Sequence, residues 1–170
     1  MMDVLFYIAS AVALLATGLA LTRANATHAL IYLIVSLLAV AVLFFLMGAP
    51  FAAALEIVIY AGAIMVLFVF VIMMLNVGRA GVAQEREWLR ARSWIVPGIM
   101  AFLLLLELIL ALQHAPAVTS GTMVSPKDVG LTLFGPYVLA GGIASMLLLS
   151  GLVGAYHLGR RFIVRRERKH

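Results

Sequence analysis

Apolar positions along this chain come in long unbroken runs, not in the three-to-four-residue rhythm of a helix with one wet face. Uncharged stretches cover residues 4–22, 29–51, 57–76, 94–106 and 131–159; the first three lie near the ~20 residues that span a hydrocarbon core of about 30 Å, the fourth reaches that length across Glu107, and the fifth exceeds it. A helix keeps the backbone hydrogen bonds of such a run internal, as lipid demands. The pattern predicts an all-α membrane protein with five transmembrane helices, at about residues 3–21, 28–47, 51–76, 94–113 and 135–158. Together they make a single integral membrane domain over residues 1–170.

The polar punctuation between the runs gives the connections. Gly48, Ala49 and Pro50 predict a tight turn, since glycine bends freely and proline suits the first turn of a helix. Thr27 is a candidate cap for the second helix. Residues 77–93 form a long connection whose QEREWLRAR run at 84–92 reads as a solvated interfacial segment anchored by Trp88, or as a docking surface. Residues 114–130, interrupted by Pro116, Gly121, Pro126 and Gly130, read as a loop, and residues 159–170 as a short basic tail. Met1-Met2-Asp3 lacks the basic start of a cleaved leader, so the first helix is expected to stay. Five unequal helices without a repeat do not suggest a transporter built from inverted repeats.

Composition sharpens this reading. With 65% hydrophobic and 11% charged residues, the chain lies far from globular usage, and its natural solvent is the lipid bilayer. The net charge of +5 is a matter of position. Eleven of the twelve basic residues fall on alternate connections: Arg23; Arg79, Arg86, Arg90 and Arg92; Arg160, Arg161, Arg165, Arg166, Arg168 and Lys169, with Lys127 alone on the other side. The positive-inside rule then puts the N-terminus outside (periplasmic) and the C-terminus in the cytoplasm, and nucleic-acid binding drops out. There are no cysteines, hence no disulfide or iron–sulfur ligation from this chain.

Few polar groups lie inside the spans. Glu56 and Tyr60, four residues apart, share a face of a regular helix that Ala63 and Leu67 continue. Such a pair suits proton transfer, and equally suits a hydrated position near the interface. Glu107 follows Leu103–Leu106 and precedes Leu108–Leu112, so it has to face protein or water. Gly62 sits in mid-helix, at a cost of about 1 kcal/mol against alanine in soluble hosts. Close helix packing, which spacing favours, offsets that cost; a π-bulge, one extra residue in a turn, is the other reading. Tyr32 and Ser36 share a face and are expected to bond a neighbouring helix, His28 reads as interfacial, and Gly141, Gly142, Ser145, Ser150, Gly151 and Gly154 give the fifth helix a small-residue surface. HExxH, GxGxxG, P-loop and nucleophile-elbow motifs are missing from the sequence and the four histidines are scattered, so catalytic and metal sites and independent catalysis are not expected.

The stretch GAPFAAALEIVIYAGAIMVLFVFVIMMLN closely resembles the third helix of the J-subunit family of proton-translocating NADH-quinone oxidoreductase, bacterial respiratory complex I. The likeness continues through QEREWL, LTLFGPYVLA and ASMLLLSGLV and covers nearly the whole chain. It implies a core subunit of the bacterial cytoplasmic (inner) membrane, not a free monomer, beside complex I membrane subunits of A, H, K and N type. NADH, FMN, iron–sulfur clusters and quinone are expected on other subunits, with no cofactor in this chain. It further implies a π-bulge around Tyr60, Gly62 and Met65, whose conversion to regular α-helix turns the bulky face and connects or breaks a water path. Tyr60 and Met65 would gate that path, Gly62 would permit the bulge and Glu56 would be an auxiliary acid. The chain departs from the family at Gly141-Gly142, where members often carry a glutamate, and at Glu107, an acid the family does not lead one to expect; either the acid has moved from helix five to helix four, or neither matters. The alternatives to gating are a structural scaffold of the same assembly and an independent small ion transporter.

Overall fold

A computed structural model describes residues 2–75, 91–113 and 123–167. It is helical throughout these segments: α1 (Met2–Thr22), α2 (Ala26–Leu46), α3 (Pro50–Leu55), a π-helix, π1 (Glu56–Ile64), α4 (Met65–Leu75), α5 (Ala91–Gln113), α6 (Pro126–Phe134) and α7 (Val138–Glu167). Five stretches are long and apolar enough to cross a membrane: Asp3–Thr22, Ala26–Leu46, Pro50–Met74, Trp94–Gln113 and Val138–Gly159. The third combines α3, π1 and α4. Most of the 84–92 run, residues 114–122 of the connection after α5 and the last three residues of the tail lie outside the described residues.

By contacts the chain divides into two units, residues 1–125 and 126–170. In the first, α2 is the central helix, with α1, the third span and α5 all packed on it and α1 also touching α5. Leu5, Ala9, Val12, Ala13 and Ala16 of α1 meet Val35, Ala39, Val42 and Leu46 of α2, and Leu104 and Ala111 of α5 complete this core. The alanines bring the helix backbones close, which is how apolar helices gain contact energy when lipid is as apolar as they are. Ser36 behaves as expected and joins its neighbour, its Oγ lying 2.7 Å from Thr17 Oγ1 and donating to the Ala13 carbonyl at 3.3 Å. Tyr32 is buried under the guanidinium of Arg23, 5.2 Å from its ring centroid.

The turn between α2 and the third span follows from its glycine. Gly48 adopts φ 83°, its N–H donates to the Phe45 carbonyl and that of Ala49 to the Phe44 carbonyl, both at 3.0 Å, the paired closure of a glycine-terminated helix. Pro50 then opens α3 in the first turn, where a missing N–H costs nothing. The Val124 N–H also donates to the Gly48 carbonyl, at 3.0 Å. Thr27 lies within α2, whose N-cap is Asn25 without a side-chain cap bond, so the expected threonine cap is corrected.

In the second unit, helix α6 occupies residues expected to form the end of a loop, and a turn at 135–137 separates it from α7. Pro126 at the start of α6 explains the shift, since it can begin a helix as readily as it breaks one. Helix α7 continues to Glu167, so most of the expected tail is helical.

Candidate functional site

The middle of the third span is not an α-helix. From Glu56 to Ile64 the nine residues of π1 follow π geometry, in which an N–H reaches the carbonyl five residues back, not four. At its C-terminal cap, Met65, the backbone N–H meets the carbonyls of Tyr60 and Gly62. α-Helix resumes there and continues to Leu75.

Gly62 shows what the widened turn requires. A Cβ built on it would stand 3.1 Å from the carbonyl oxygen of Ile57, five residues earlier in the same helix. No atom of a neighbouring helix among the described residues comes within 4 Å of that position. The expectation that close helix packing explains this glycine is therefore corrected: the crowding comes from the π turn's own backbone. Any other L-residue here has to push that carbonyl by a few tenths of an ångström.

The other residues singled out along this span diverge. Met65 is buried at 5% exposure, while Tyr60 is 49% exposed. Glu56 and Gly62 are half-buried, and Ala63 and Leu67, expected to extend the Glu56–Tyr60 stripe, are exposed. Within the first unit the stripe thus looks outward, and Met65 is the residue that turns inward. The expectation centred on Tyr60 to Met65; that the π geometry already begins at Glu56, and that Ile57 supplies the crowded carbonyl, was missed. A residue pair five apart carries no sequence signal until the turn is known to be wide.

Glu107 lies elsewhere. It is 2% exposed on α5, between Leu104 and Ala111 on the face that packs into the α1–α2 core. Neither carboxyl oxygen has a hydrogen-bond partner among the described residues. An unpaired carboxylate buried in this way costs several kcal/mol, so the arrangement demands a reason. Glu107 and π1 are carried on different helices, joined through their common neighbour α2.

Among the described residues no three His, Cys, Asp or Glu side chains converge as a metal site would need. What the geometry offers is a π-wound segment inside a membrane-length helix and, on another helix, a buried acid without a hydrogen-bond partner among the described residues.

Comparison with known sequences agrees in scale with this picture. The sequence model of the family described as NADH-ubiquinone/plastoquinone oxidoreductase chain 6 matches residues 6–158. A Pseudomonas aeruginosa protein named NADH-quinone oxidoreductase subunit J is 56% identical over 162 residues, covering 94% of this chain and 98% of the relative. The Escherichia coli K12 protein of that name is 54% identical over 160 residues, 94% of this chain and 87% of the relative. A third, from Buchnera aphidicola subsp. Schizaphis graminum, is 44% identical over 160 residues, with 94% and 98% coverage.

Proposed function

Because the chain belongs to the NADH-ubiquinone/plastoquinone oxidoreductase chain 6 family, as a subunit J of NADH-quinone oxidoreductase, we propose that its third span gates a water and proton path that couples quinone reduction to proton translocation. The chain crosses the bacterial cytoplasmic membrane five times with its N-terminus outside. It adjoins the A-, H-, K- and N-type membrane subunits, while NADH, FMN, iron–sulfur clusters and quinone are held by other subunits. Its own residues carry no bond-making step.

The observation that carries this reading is π1 with Gly62 where a side chain would crowd the Ile57 carbonyl. A switch needs two helix packings separated by a few kcal/mol, so that an event elsewhere in the assembly can choose between them. In the π winding the Tyr60 carbonyl is tied to Met65 across five residues; in the α winding every bond shortens to four. Passing from one to the other turns Tyr60 and Met65 relative to α2, which opens or closes a space that water can thread. Glu56, half-buried at the start of π1, is placed to pass a proton to that water. Tyr60 can relay it through its hydroxyl.

Gly62 provides the test. A Cβ there presses on Ile57 only in the π winding, so Gly62→Ala and Gly62→Val should favour the α winding in graded fashion. Overpacking costs about 1–3 kcal/mol, and ~1.4 kcal/mol is a factor of ten in an equilibrium. Expected in the assembled complex is a stepwise loss of proton translocation per NADH oxidised, with smaller losses for Tyr60→Phe and Glu56→Gln. Normal pumping by all four variants would leave the subunit as a scaffold. Proton transport by the purified chain alone in vesicles would instead make it an independent transporter.

A further inference from the structure

We propose that Glu107 is a proton-binding site of this subunit in its own right, seated in the α1–α2–α5 core and separate from the π1 gate. The inference rests on reading the chain as part of a proton-translocating assembly, and adds a site to it. Glu107 stands six residues before the end of α5 at Gln113, about 9 Å along the helix axis, with apolar residues on both sides in the chain. It shares a buried face with Leu104 and Ala111. The core they belong to is apolar throughout, with Ala9, Ala13 and Ala16 from α1 and Ala39 from α2 beside the larger Leu5, Val12, Val35, Val42 and Leu46.

Among the described residues no group facing it satisfies it. The titratable side chains of α1 are Asp3 and Tyr7, both exposed; those of α2 are His28 in its first turns and Tyr32, which lies against Arg23. Ser36, also buried, is already engaged with Thr17 and the Ala13 carbonyl. A carboxyl so placed gains nothing as a structural tie, because it ties to nothing. An apolar residue of similar volume would pack as well or better. Intramembrane acids are kept for what they exchange, and the only exchangeable species here is the proton. When this apolar core parts enough to admit water, the carboxyl O–H bond breaks, the proton leaves to water and the electron pair stays on the carboxylate. Closure returns a proton from water and re-forms the same bond. No electron moves in either direction.

The assembled complex in proteoliposomes tests this with Glu107→Gln, Glu107→Leu and Glu107→Asp beside Gly62→Val, each checked for assembly. Glu107→Gln and Glu107→Leu should lower the protons translocated per NADH, and Glu107→Asp should recover most of the loss. A packing role predicts the opposite for leucine: full yield and equal or better stability. In the wild-type complex a hydrophobic carbodiimide, which attacks protonated carboxyls, should modify Glu107 at different rates at rest and during NADH oxidation. Full proton yield in the glutamine and leucine variants, or identical labelling in the two conditions, overturns the proposal. Loss with Gly62→Val alone removes Glu107 and keeps the gate; loss with the Glu107 variants alone removes the gate and keeps the site.

Discussion

The α1–α2–α5 core and the third span are both built from apolar, membrane-length helices, yet they use their apolarity in opposite ways. In the core, alanines at Ala9, Ala13, Ala16 and Ala39 are buried and a hydroxyl pair crosses between helices. In the third span, Val58, Val66, Leu67, Phe68 and Phe70 are all at least half exposed, and among its described side chains only Ala53 and Met65 are fully buried. Small residues lock helices together by contact, whereas large ones turned outward commit a helix to lipid or to other subunits. The irregular winding lies in the second kind of helix. A π turn inside the alanine-packed core would have to displace close neighbours on two sides; on the third span it displaces them chiefly on the side of α2.

Three substitutions would break or sharpen this contrast. The largest effect is expected from Ala9→Phe, since Ala9 has no exposed surface and overpacking costs about 1–3 kcal/mol. It should lower the thermal midpoint of the purified chain and the yield of assembled complex; unchanged values would mean the core is looser than its alanines indicate. Ser36→Ala removes both interhelical contacts of the hydroxyl, with Thr17 Oγ1 and the Ala13 carbonyl, and should cost at least about 0.6–1.7 kcal/mol, the range for one such bond in membranes. Double substitution with Thr17→Ala tells the bond from the cavity, because the second loss should then be smaller than the first. Smallest is Val66→Ile, on a 65% exposed position, expected to shift the chain's own stability by no more than about 0.5 kcal/mol. A larger loss seen only in the assembled complex would locate another subunit on that face.

The five spans were legible because lipid imposes one demand, an uninterrupted apolar run, and each run satisfies it without help from its neighbours. Boundaries at Thr22, Leu46 and Gln113 fell within two residues of expectation for the same reason. The start of α6 was not legible: Pro126 and Gly130 look like loop residues, and only the surrounding fold decides that the proline begins a helix. Ser36 could be read as an interhelical donor from its isolation, but its partner Thr17 could not, since a threonine among alanines looks like any small notch. At the candidate site, the spacing of Gly62 pointed to helix packing, while the family likeness pointed to a π turn. Spacing failed because it assumes the winding it tries to detect. The burial of Glu107 was foreseen as a need to face protein or water; its lack of a hydrogen-bond partner among the described residues was not, because a sequence says nothing of what stands opposite.

The turn before Pro50 has a mechanical consequence. Its closing bonds at Phe44 and Phe45, and the Val124 N–H on the Gly48 carbonyl, fasten the Pro50 end of the third span to its surroundings. A rod clamped at one end delivers its torsion to the other. Taking one residue out of a wide turn of π1 turns everything beyond it by about 100° and draws it about 1.5 Å along the axis. In the proposed switch that rotation would pass through Met65 towards Leu75 and turn α4 against α2.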